Sequence, residues 1–131
     1  MNIIGDSAKI ELTLISKSSV DDIYKWLQTA INIHLPGFNV SFRTEIEDSS
    51  LIAFAKSIEK SLEENSNIVL STLEDSISLQ GEISEFGKTI WTGEVQYPID
   101  NGNILKFSFE ADTFQNNRLF NEIKSELEDL I

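Results

Sequence analysis

Glu110 and Asp112 stand two apart at the end of "KFSFEAD", residues 106 to 112. Residues two apart on a strand share a face, so the pair could hold a hard cation or work as acid and base. The competing reading is structural. Gln115 follows Asp112 at three residues' distance, the capping-box spacing with Asp in place of Ser or Thr, and an amphipathic run begins at once. An Asp cap contributes about 0.5 to 2 kcal/mol to a helix. This reading is preferred, with Asp112 as cap and Glu110 on the outward face of its strand.

Other reactive constellations are absent from the chain. His34 is the single histidine and cysteine is lacking, which removes paired-histidine and thiolate metal sites, thiol nucleophiles and disulfides together. No nucleophile signature accompanies His34. There is no calcium-binding loop with acids at alternating positions, and close acidic pairs such as Glu74-Asp75 are expected by chance among 22 acids. Gly81, Gly87 and Gly93 are spaced by six, unlike the clustered glycines of a phosphate-binding loop. The expectation is no catalytic residue, no cofactor and no metal.

Charge is the strongest bulk feature, with 22 acidic against 10 basic residues and a net charge of −12 over 131 residues. Nucleic acid and anionic membranes demand a basic footprint and are not expected partners. A basic protein would be attracted, although acidity also serves plain solubility. The first residues lack the basic and apolar regions of a signal peptide, and no run approaches a spanning helix. A single domain over residues 1–131 is expected, at a length that buries about two thirds of the unfolded surface.

The elements that must position these groups follow from periodicity. Ile10, Leu12 and Leu14 alternate with polar residues as in a half-buried strand. Leu27, Ile31, Ile33 and Leu35 share a strand face that Phe38, Val40 and Phe42 continue beyond Pro36-Gly37, a hairpin. Val20, Ile23, Tyr24, Leu27 and Ile31 also fit a helical stripe behind Ser19, so residues 20–31 admit strand or helix; strand is preferred. Leu51, Phe54, Ala55, Ile58 and Leu62 form a helical stripe after Asp48 or Ser49 as cap, ending near Asn65. Ile77, Leu79 and Ile83, then Trp91, Val95 and Tyr97, return to strand alternation around the turn "SEFGK". "PIDNGN", residues 98–103, turns into the Phe107/Phe109 strand, and Leu119, Phe120, Ile123, Leu127 and Leu130 stripe a last helix.

Short connections favour antiparallel neighbours. The expected fold is α+β: a single antiparallel β-sheet with two amphipathic helices packed on one face, in the order βββα, then strands, then a C-terminal α. Phe38, Phe42, Phe54, Phe107, Phe109 and Phe120 all fall on inward faces, with no internal repeat evident.

Alternation then leaves one polar sheet face for a partner. Its candidate partner-binding residues are Trp26, His34, Glu45, Glu82, Glu94 and Glu110, a mostly acidic set with one large aromatic that either anchors an interface or packs under the N-terminal segment. The rival surface is the acidic end of the last helix, Glu126, Glu128 and Asp129, where the helix dipole disfavours anions. A third is the loop from Pro98 to Asn103.

The order of these features resembles the WapI-type immunity proteins of bacterial polymorphic toxin systems. The resemblance rests on Trp26-Leu27, Ala30 to Ile33, Phe38 to Phe42, Glu47-Asp48 with Leu51 and Phe54, Leu73-Glu74 with Ile77 and Leu79, Gly87 with Gly93 and Val95, and Leu105, Phe107, Phe109 and Asp112. It implies a cytoplasmic, non-enzymatic protein that binds and neutralises a cognate toxin domain, expected to be basic. The alternative from another class is an acidic chaperone for a secreted effector protein. Neither the toxin's chemistry nor the oligomeric state follows from these residues.

Overall fold

In the computed structural model, which describes residues 1–20 and 25–130, strand alternation and helical stripes produce the same layout twice. Strands β1 (Asn2–Ile4), β2 (Lys9–Val20), β3 (Lys25–Leu35) and β4 (Phe38–Glu47) are followed by helix α1 (Asp48–Glu64). Strands β5 (Ile68–Ser71), β6 (Ile77–Ile83), β7 (Lys88–Tyr97) and β8 (Asn103–Asp112) lead through a 3-10 turn at Thr113–Gln115 into helix α2 (Asn116–Leu130). Each set of four strands is its own antiparallel sheet in sequential order. The expected single sheet is therefore corrected to two, and the α+β class with two helices stands.

The partition has a physical cause. Period two assigns each residue a face but does not say which strands share a sheet. After Glu47 the chain runs through α1 and returns as β5, which pairs with β6 and not with β4. Strands β1 and β5 span 3 and 4 residues, too short to show alternation, and neither was anticipated. The strand reading of Leu27 to Ile31 holds within β3; residues 21–24 lie outside the described ones.

Buried residues of both sheets and both helices belong to one core. Sheet one contributes Ile10, Leu12, Leu27, Ile31, Ile33 and Ile46; sheet two contributes Leu70, Leu79, Trp91 and Val95. Phe42 of β4 stacks on Tyr97 of β7 with ring centroids 5.0 Å apart, joining the sheets. Gly93, opposite Phe107, has no room for a side chain: a Cβ there would clash with the Phe107 ring and lie 2.8 Å from Leu79 Cδ2.

Helix α1 buries Leu51, Phe54, Ala55 and Ile58 as its stripe requires, but Ser61 takes the last inward position and Leu62 is exposed. Asn65 ends it in the left-handed region, at φ 54°, its N–H donating to the Ser61 carbonyl at 3.1 Å. Neither Asp48 nor Ser49 caps it. Glu47 holds the N-cap position, and the Asp48 carboxylate instead accepts from the Lys25 N–H at 3.3 Å.

The helices also close sheet edges. The N–H groups of Asn2 and Ile4 on β1 donate to Glu122 Oε1 at 3.0 Å and Gln115 Oε1 at 2.9 Å, and the Val69 N–H on β5 donates to Ser57 Oγ at 3.1 Å. An uncovered edge strand is a template for aggregation, and here helix-borne acceptors occupy it.

Candidate partner-binding surface

Trp26, His34 and Glu45 lie on the outer face of the first sheet. Trp26, opposite Glu47 on β4, is half-buried and engaged with neighbouring groups. His34 is exposed; its Nδ1 is 3.0 Å from Asn39 Oδ1 and its Nε2 3.5 Å from Glu11 Oε1, so the ring bridges β2 and β4. Glu45 is exposed opposite Gln28.

Glu82, Glu94 and Glu110 lie on the outer face of the second sheet. Glu82 and Glu110 are exposed and flank Ile90 across β6, β7 and β8. Half-buried Glu94 stands between Ser78 and Lys106 and lines a groove of about 450 Å³ with Val69, Gln80 and Thr92. The structure thus brings three acids together on one sheet and places the other three candidates on another. One continuous face carrying all six is lost with the single sheet, because the inner faces of the two sheets share a core and their outer faces cannot coincide.

Asp112 does not act as the expected cap. No side-chain capping bond forms, and the chain passes through the 3-10 turn before α2 begins. Its Oδ1 lies 2.8 Å from Lys88 Nζ, which also sits 3.3 Å from Asp6. The hydrogen bond that Lys88 donates to Asp112, then that to Asp6, raises the lysine's pKa above its ordinary value. Gln115, expected to complete a capping box, is spent on β1 instead.

Glu47 was read only as part of an acidic step towards α1, yet it is 1% exposed. Its Oε1 accepts from the Leu73 N–H at 3.0 Å and from the Ser50 hydroxyl, tying the β4–α1 junction to the β5–β6 loop. Its Oε2 has no hydrogen-bond partner among the described residues. Burial raises its pKa, outweighing the backbone hydrogen bonds that lower it. No sequence signal distinguishes this glutamate from its exposed neighbours.

Two acids of α2 are paired with cations. Glu126 lies 3.1 Å from the Met1 amino group, and Arg118 pairs with Glu122 at 2.9 Å. Glu126, placed where the helix dipole disfavours anions, is thus offset by a cation. Glu128 and Asp129 remain exposed. Among the described residues no group of three or more His, Asp or Glu could hold a metal, and no helix is long and apolar enough to cross a membrane.

Of the large apolar side chains exposed among the described residues, Phe86, Phe114 and Phe38 are the most exposed. Phe38, at 59% exposed, stands at the start of β4 beside the Pro36-Gly37 turn and does not face inward as expected. Phe86 and Phe114, at 83% and 82%, stand where the β6–β7 turn meets the 3-10 turn. Strand periodicity could not find Phe86 and Phe114, since both lie outside strands.

A family model matches residues 2–130: that of the immunity protein WapI-like family. No curated protein and no solved structure matches the chain.

Proposed function

Because this chain belongs to the WapI-like immunity protein family, a family of non-enzymatic toxin inhibitors, we propose that it binds and neutralises one cognate toxin domain with a basic surface, within the cytoplasm of the producing cell. The observation that carries this reading is the family match over nearly the whole chain, joined to a net charge of −12. A field of that sign draws in a basic partner and can raise its association rate by about 10- to 1000-fold at low salt. Neutralisation is by occlusion of the toxin's active site or an adjoining surface.

The outer face of the second sheet is the better docking face. There Glu82, Glu94 and Glu110 are not balanced by equal numbers of cations once Lys88 is paired with Asp112 and Asp6. On the first sheet Lys9 and Arg43 offset Glu11 and Glu45. Trp26, His34 and Glu45 then contribute to the fold or to the rim of the contact.

The test is to express the toxin domain encoded in the neighbouring reading frame with and without this chain, and to measure growth and direct association. Protection that tracks association, with affinity falling as salt rises, supports the reading. Normal binding to an effector without any toxicity to relieve would favour the chaperone alternative.

A further inference from the structure

Exposed apolar side chains scattered singly are ordinary, but the two most exposed aromatics among the described residues are carried on adjoining turns. The ladder between β7 and β8 ends at Lys88 opposite Asp112, and the Thr113 N–H donates to the Gly87 carbonyl at 2.9 Å, carrying the pairing one step further. That bond joins the two turns that carry Phe86 and Phe114, each next to one of the bonded residues. We infer that Phe86 and Phe114 form the apolar anchor of the toxin contact, seated against an apolar patch within a basic surface of the toxin domain.

The turns that present them are held firmly. Lys88 bridges Asp112 and Asp6, so the β1–β2 turn is clamped to the same end. Beneath, Thr89 Oγ1 is 2.9 Å from Thr113 Oγ1 and accepts from buried Asn116 Nδ2 at 3.1 Å. Gly87, at φ +76°, gives the turn a conformation that a side chain would strain. Aromatic anchors on a pre-organised backbone lose little conformational freedom on binding, which is where interface affinity is won.

Charge selects the occupant. Glu82, Glu85 and Glu110 are exposed around this end, with Ile90 between Glu82 and Glu110. A second copy, also carrying −12, would meet that rim with the same sign, whereas a basic domain meets it with the opposite one. An apolar centre with aromatic residues inside a polar rim is the anatomy of a specific interface.

The inference rests on the toxin-binding reading, and the experiment separates the two. The toxin domain encoded beside this chain, made catalytically inactive, is titrated with the parent, with Phe86→Ser, with Phe114→Ser and with the double variant, Phe38→Ser serving as an exposed-aromatic control. All variants should melt as the parent does, since these rings are almost wholly in water. The double variant should bind about 30-fold more weakly, mainly through faster dissociation, and Phe38→Ser within about 3-fold of the parent. If the parent itself does not bind, the toxin-binding reading falls and this inference with it. If the parent binds and the double variant binds equally well, the function stands and the anchor is elsewhere. A parent dimer that the double variant dissolves would show self-association through these rings and also overturn the inference.

Discussion

Gln115 pairs with Ile4 as a neighbouring strand would. Its Oε1 accepts from the Ile4 N–H at 2.9 Å and its Nε2 donates to the Ile4 carbonyl. One amide side chain therefore supplies both halves of a backbone pairing to the free edge of β1.

Gln115→Leu should consequently cost about 1 to 3 kcal/mol, because it leaves a donor and an acceptor of β1 without partners. Gln115→Glu keeps an acceptor and loses the donor, and should fall between the parent and Gln115→Leu. Chemical denaturation orders the three. Loss of solubility in Gln115→Leu at high concentration would show that the β1 edge had been opened.

Glu47 gives the stability a pH dependence of definite sign. Its folded pKa lies above the ordinary value of 4.5, chiefly through burial. The protonated form is thus favoured by folding: the contribution is full below about pH 4.5 and is lost as pH rises through the raised pKa. Glu47→Gln, which keeps an acceptor for Leu73 and Ser50, should match the parent near pH 4.5 and equal or exceed it at pH 7. Denaturant midpoints across that range decide the matter. A Glu47→Gln deficit that grows towards neutral pH would contradict burial as the governing cause.

Lys88 and Asp112 should behave as a coupled pair, not as a helix cap and a bystander. In a double-mutant cycle, Lys88→Met and Asp112→Asn together should cost less than the two single effects added. The raised lysine pKa places this contribution fully in force below the ordinary lysine pKa and removes it as pH rises through the higher folded value. If Asp112→Ala shortens α2 by circular dichroism while the cycle shows no coupling, capping would be restored as its role.

Charge reversal at Glu82, Glu94 and Glu110 together should slow association with the toxin domain by about tenfold or more and flatten its salt dependence. Reversal at Glu45 and Glu11, on the other sheet, should change it less. Stopped-flow association across a salt series reads both, and equal effects from the two sets would remove the preference for the second sheet.

Gly93→Ala should destabilise the fold by about 1 to 3 kcal/mol through overpacking against the Phe107 ring. Combining it with Phe107→Leu, which draws the neighbour back, should recover part of the loss. Thermal melts of the two single variants and the double variant provide the comparison.

The sequence by itself determined what is local and periodic. Alternation identified β2, β3, β4, β6, β7 and β8 and most of their inward positions, Phe38 excepted; spacings of three and four identified both helices; Pro36-Gly37 and residues 98–103 identified turns. Each of these is written within about ten consecutive residues, because side-chain direction repeats with the backbone's own period. Tertiary structure alone decided the rest. Whether β5 extends the first sheet or starts a second depends on what closes each edge, and the group closing β1 comes from Gln115, 111 residues away along the chain. The same holds for Asp112, drawn from its capping geometry by a lysine 24 residues earlier, and for Glu47, whose burial depends on a loop 26 residues later. The two turns that carry Phe86 and Phe114 are joined by one backbone bond. Contacts between distant segments leave no period in the sequence, so the partition into two sheets, and with it the division of the candidate surface, emerges only when the chain is folded.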